Sequence, residues 1–145
     1  YLNLGLETLA VRMDRHCANA LAVAKFLKSQ DKVAWVHYAD LEGDEYNELA
    51  KKYMPKGTCG VLAFAVKGGR EKAEKFMNSL KLAAIVTHVA DARTCVLHPA
   101  SSTHRQLSDS ELVGCGVSPD LIRFSCGIES AEDIIADIEQ ALEQI

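Results

Sequence analysis

Apolar residues recur at intervals of three and four along the first part of the chain: Leu6, Leu9, Met13, Cys17, Leu21, Ala24 and Leu27. This spacing lays one apolar stripe along a helix from Gly5 to Ser29, about 37 Å long at ~1.5 Å rise per residue. Arg12, Asp14 and Arg15 fall off the stripe and read as a solvated face. The period then changes. Lys32 to Tyr38 reads as a strand, and Asp44 is placed to cap a short helix with Tyr46, Leu49, Ala50 and Tyr53 on one side. Pro55 ends that helix, because the residue before a proline avoids the helical region. Gly60 to Lys67 alternates most clearly, with Val61, Ala63 and Ala65 on one face and Leu62, Phe64 and Val66 on the other. Bulk on one face and small side chains on the other predict a sheet that packs helices on its bulky side.

Gly68-Gly69 turns the chain into a helix with Ala73, Phe76, Met77 and Leu80 inward. A glycine turn before a helix can hold phosphate on backbone amides. This one lacks both the lysine-hydroxyl pair of a P-loop and the three spaced glycines of a dinucleotide fold, so it reads as a plain turn. Ala83 to Val89 and Thr94 to Leu97 read as short extended segments. His98 to His104 (HPASSTH) is too polar for a strand and too rich in hydroxyls and proline for a helix start. It reads as an irregular loop whose short side chains bond nearby backbone. Ser108 with Glu111 makes a capping box for a short helix that stops at Gly114. LIRFS, Leu121 to Ser125, alternates as a strand, with Leu121, Arg123 and Ser125 on one face and Ile122 and Phe124 on the other. Gly127 gives a turn, and Ser130 caps a last helix with Ile134, Ile135, Ile138, Leu142 and Ile145 as its buried stripe. This order of helices and strands predicts an α/β two-layer sandwich forming a single domain over residues 1–145.

Composition narrows the partners. With 145 residues there is room for one core. A net charge of −4 offers no basic patch, which argues against nucleic acid. No apolar run is long enough to span a bilayer. The five cysteines (Cys17, Cys59, Cys95, Cys115, Cys126) are odd in number and lack Cys-x-x-Cys or close Cys/His spacing. Reduced thiols in a cytoplasmic protein are therefore expected, with neither zinc nor a disulfide frame. The chain opens at Tyr1, without a methionine or a signal peptide and already in a helical pattern, as a fragment of a longer protein would.

Arg123 is the sharpest chemical candidate. An arginine inside a short apolar strand either faces solvent or faces an anion, and spacing alone leaves both open. Ser101, Ser102, Thr103 and His104 do not form a hydrolase site, since no Gly-x-Ser-x-Gly elbow surrounds them. His98 and His104 lack a third metal ligand at suitable spacing, and His16, His37 and His88 read as structural or surface residues. Cys126 reads as a small buried apolar residue.

HPASSTHRQLS, then LIRFSCGIE, then DIIADIEQAL resemble the C-terminal domain of the Cys/Met-metabolism pyridoxal-phosphate enzymes. THRQL, with GLETLAVRMDRH and AKKYMPKG upstream, is most similar to the O-acetylhomoserine sulfhydrylases of that family. The resemblance covers nearly all of this chain but only the last third of such an enzyme. It implies a small, mainly antiparallel sheet with helices on one face, the C-terminal domain of the fold-type I pyridoxal-phosphate transferases. The helix over 5–29 would lead from a larger preceding domain. That absent domain would bind pyridoxal 5'-phosphate and carry its lysine, leaving this chain with no catalytic, cofactor-binding or metal-binding residue and inactive alone. By the same resemblance, Arg123 would hold the α-carboxylate of an amino-acid substrate. Thr94 would help frame that site, within a stretch where the family pattern G-D-A-x-S-L stands here as Ala90-Asp91-Ala92-Arg93-Thr94-Cys95. Ser102, Thr103 and His104 would shape the active-site wall. The implied activity is O-acetylhomoserine sulfhydrylation in a cytoplasmic homotetramer, with cystathionine gamma-synthase or gamma-lyase chemistry as the alternative. A stand-alone carboxylate-binding module, with Arg123 holding a regulatory ligand, is the reading from another class.

Overall fold

The computed structural model describes residues 1–145. Its elements in chain order are α1 (Leu2–Glu7), α2 (Leu9–Lys28), β1 (Val33–His37), α3 (Asn47–Tyr53), β2 (Val61–Val66) and α4 (Gly69–Ser79). They continue with β3 (Ala84–Ile85), β4 (Cys95–Leu97), a 3-10 turn at Pro99–Ser101, α5 (Asp109–Gly114), β5 (Leu121–Ser125) and α6 (Ala131–Glu143). The strands form one sheet in the order β1-β2-β5-β4-β3. Every neighbouring pair is antiparallel except β3 with β4, which is parallel. This is the α/β sandwich that the order of elements predicts, with the mainly antiparallel sheet that the resemblance implies.

Helices α2, α4 and α6 cover one face of the sheet. Leu62, Phe64 and Val66 of β2 and Ile122 and Phe124 of β5 point into that layer and are almost fully buried. They meet Val23, Ala24 and Leu27 of α2, Ala73, Phe76 and Met77 of α4, and Ile134, Ile138 and Leu142 of α6. Phe64 packs edge-on against Phe76 at 5.6 Å and lies 6.3 Å from Phe124. Burying each such ring contributes roughly 2–3 kcal/mol, so this aromatic group dominates the centre of the core. The opposite face carries no helix over β2 and β5. Cross-strand register places His37, Ala63, Arg123 and Leu97 in one row across that face.

Five expectations need correction. The helix expected over 5–29 is two helices, broken at Thr8 (φ −107°, ψ 6°). The buried face of α2 is also rotated from the expected stripe, to His16, Asn19, Ala20, Val23, Ala24 and Leu27, while Leu6 and Leu9 are exposed. The reason is tertiary: only the second half of α2 lies over the sheet. In α3 the buried residues are Asn47 and Ala50, and Tyr46, Leu49 and Tyr53 are exposed. Asp44 does not cap α3, because its carboxylate accepts from the amides of Tyr46 (3.0 Å) and Tyr38 (3.1 Å) in the preceding turn. Nor does Ser130 cap α6 through its side chain; its hydroxyl donates to Glu132.

Candidate functional site

The helix-free face of β5 presents Leu121, Arg123 and Ser125. Beside Arg123 the small Ala63 of β2 leaves a hollow of about 430 Å³, walled by His37, Tyr38, Asp44, Tyr46 and Cys59. Alternation in β2, small residues outward and bulky residues inward, is what clears this space. The Arg123 side chain extends to the segment between β3 and β4. There its Nη2 donates to the carbonyls of Thr87 (2.8 Å) and His88 (3.1 Å). Its Nε is buried and has no partner. Arg123 is thus a partly covered guanidinium at the edge of the hollow, with one buried N–H that makes no hydrogen bond.

Thr94 lies immediately before β4 and is fully buried. Its hydroxyl donates to Glu129 Oε2 (2.9 Å) and accepts from the Gly127 amide (2.9 Å), while its own amide donates to Glu129 Oε1 (2.7 Å). The hydroxyl is thus occupied in joining the start of β4 to the turn after β5. A Cβ at Gly127 would lie 2.5 Å from both Ala92 O and Thr94 N, so only glycine fits this turn. Helix α2 holds the same turn from the other side. His16 Nδ1 donates to Cys126 O (2.6 Å) and Asn19 donates to Gly127 O (2.9 Å) and Glu129 O (2.8 Å). Sequence reasoning missed Glu129 and Asn19, and it read His16 as structural or surface without assigning it to this turn. A histidine and an asparagine three apart, inside an otherwise apolar helical stretch, were the available signal.

The loop after β4 is tied down at its root. His98 is almost fully buried, with Nε2 donating to Pro119 O (2.9 Å) and Nδ1 accepting from the Ser101 hydroxyl (2.8 Å). Burial pushes its pKa down, partly opposed by the Pro119 carbonyl. Ser102 donates to His98 O (2.6 Å), and the Thr103 hydroxyl bonds His104 Nδ1 (2.9 Å). The side-chain hydrogen bonds of Ser102, Thr103 and His104 all stay within the loop, and none reaches Arg123. Arg70 of α4 braces the loop from outside, donating to Ala100 O (3.0 Å) and pairing with Asp109. The Ser108–Glu111 capping box forms as expected, and it holds the Glu111 carboxyl below its ordinary range. Cys126 is fully buried, and burial pushes its thiol up.

The hollow beside Arg123 has no lysine in its wall. Lys28 and Lys32 spend their ammonium groups on the carbonyls of Glu42, Leu142 and Ile145.

The fold is a small α/β domain with Arg123 on its open sheet face, and comparison with known proteins gives its family. The chain belongs to the Cys/Met metabolism PLP-dependent enzyme family, whose profile matches residues 1–143. It is 51% identical over 139 residues to a homocysteine synthase of Schizosaccharomyces pombe, covering 96% of this chain and 32% of that protein. Against an O-acetyl-L-homoserine sulfhydrylase of Leptospira meyeri it is 44% identical over 142 residues, 97% of this chain and 32% of the relative. An L-methionine gamma-lyase of Fusobacterium nucleatum subsp. polymorphum is 41% identical over all 145 residues, which are 36% of its length. Among solved structures, an O-acetylhomoserine (thiol)-lyase from Campylobacter jejuni bearing a pyridoxyl-lysine phosphate superposes with a TM-score of 0.90 at 40% identity. It covers 97% of this chain and 33% of that one. The chain thus spans about a third of the length of the relatives it matches.

Proposed function

We propose that this chain is the substrate-binding C-terminal domain of a pyridoxal-phosphate sulfhydrylase. The reaction joins O-acetylhomoserine and sulfide to give homocysteine and acetate. The observation that carries the reading is Arg123: a guanidinium on the helix-free face, beside a hollow floored by Ala63, with a buried Nε–H left over. Its planar fork grips the α-carboxylate, and gripping it fixes the direction of the Cα–H bond and of the side chain that bears the leaving acetoxy group. Pyridoxal phosphate, held by the larger domain, supplies the electron sink that makes the Cα proton removable. Thr94 enters as a positioning residue, since its hydroxyl is spent on Glu129 and Gly127 at the end of the Arg123 strand. Ser102, Thr103 and His104 form a stiff wall of the cleft. Leu2, Leu4, Leu6, Leu9 and Val11 are exposed on α1 and α2, an apolar surface of the kind that a further domain covers.

In the full-length enzyme, Arg123→Ala lowers kcat/KM by about 100-fold or more, on the scale of a lost charge-assisted hydrogen-bond pair. Arg123→Lys recovers only part, because an ammonium cannot form two parallel bonds to one carboxylate. An unchanged kcat/KM in the alanine variant removes the clamp. Similarity to a methionine gamma-lyase over the whole chain supports a second reading, γ-elimination without addition of sulfide. Product analysis separates the two: homocysteine indicates the sulfhydrylase, and a 2-oxo acid with ammonia indicates the lyase.

A further inference from the structure

Residues 86–93 leave β3, pass over the open face at β4 and β5, and return as Thr94. Contacts hold them along the way. Val86 N donates to Val96 O (3.2 Å), Ala90 N to Ser125 Oγ (3.3 Å), and Ala92 O accepts from Ile128 N (2.9 Å). Between these anchors the Thr87 and His88 carbonyls take up Arg123 Nη2. Ala90 sits at φ +58°, a left-handed conformation that side chains other than glycine adopt at a cost, so the segment is bent to reach the sheet.

The stereochemistry of the guanidinium gives these contacts a consequence. An arginine offers a carboxylate two edges, Nε with Nη2 and Nη1 with Nη2, because Cδ blocks the third. Nη2 belongs to both. While the Thr87 and His88 carbonyls hold it, neither edge is free for two parallel bonds. The neighbouring Nε–H is buried and makes no hydrogen bond within the protein. We infer that residues 86–93 form a strap that fills the carboxylate fork of Arg123 in the unliganded protein. An α-carboxylate then binds side-on through Nε and Nη2, displacing Thr87 O or His88 O. This inference rests on the proposed carboxylate clamp. Its consequence is that apparent affinity equals intrinsic affinity reduced by the fraction of molecules with the strap released.

The test uses the full-length enzyme with L-norvaline, an α-amino acid without a γ-leaving group. Amide hydrogen exchange over residues 86–93 is compared with and without the probe, and the probe's Kd is measured for the unmodified protein, Ser125→Ala and Arg123→Lys. With a displaced strap, exchange of the Ala90 amide speeds up on binding. Ser125→Ala, which removes one strap anchor, then binds the probe about fivefold more tightly, the worth of one neutral hydrogen bond. Slower exchange on binding, together with weaker binding by Ser125→Ala, makes the segment a supporting wall and overturns the strap while leaving the clamp intact. Should Ser125→Ala fail to fold, the exchange measurement on the unmodified protein decides alone. If the probe does not bind, or Arg123→Lys binds it equally well, the carboxylate does not sit at Arg123 and both readings fall.

Discussion

At the scale of single residues, backbone angle and hydrogen-bond capacity separate what side-chain type leaves ambiguous. Ala90 stands where the family pattern has glycine, and the structure puts it at φ +58°. A left-handed alanine costs roughly 1–2 kcal/mol, and part of any relief is returned because glycine loses more entropy on folding. Ala90→Gly is therefore expected to stabilise the protein by about 0.5–1 kcal/mol, read as a higher urea midpoint; a lower midpoint contradicts the strain. Arg123 and Thr94 show the other side of the same lesson. Both were legible as polar residues beside apolar strands. Their hydrogen-bond partners in the fold show that Arg123 keeps a spare buried N–H, while the Thr94 hydroxyl keeps none.

At the scale of elements, polar side chains decide how the pieces join. Asp137 of α6 is buried, and its carboxylate accepts from three consecutive amides, Lys81 (2.7 Å), Leu82 (2.9 Å) and Ala83 (3.0 Å), just before β3. It thereby holds the approach to the edge strand from which residues 86–93 depart. Asp137→Ala leaves those donors without an acceptor and should cost about 3 kcal/mol, checked by urea unfolding. A loss below about 0.5 kcal/mol would mean water replaces the carboxylate. Strands β2 and β5 and the capping box of α5 were readable from the chain, because alternation and a Ser-x-x-Glu spacing are local patterns. The break at Thr8 and the rotated face of α2 were not. Leu6 and Leu9 have the periodicity of core residues, yet the sheet does not extend beneath them. Asp137 was hidden for a related reason: it reads as one acidic position in an amphipathic helix, and its partners lie more than fifty residues away.

At the scale of the whole molecule, the loop that closes one end of the sheet hangs on a buried imidazole, and this links stability to pH. Burial lowers the pKa of His98 below its ordinary value of about 6.5, so below that pH the unfolded chain binds a proton that the folded chain refuses. The His98 contribution is fully present above about pH 6.5 and is lost as pH falls towards the folded value. Protonation would also turn Nδ1 from the acceptor of the Ser101 hydroxyl into a donor. Melting temperature should fall between pH 6.5 and 5, and His98→Asn should flatten that slope; an equal slope in the variant assigns the effect to other groups. No helix of the molecule is long and apolar enough to cross a membrane.

What the chain determined by itself is most of the strands and helices, the bulky face of the sheet and the family, because periodicity and contiguous motifs are short-range information. Tertiary structure decided which apolar stripe is core, and that the Thr94 hydroxyl bonds Glu129 and Gly127. It also put residues 86–93 across Arg123. Each of these depends on groups far apart in the chain meeting over one small sheet. Whether a buried donor is satisfied there is set by the geometry of that meeting.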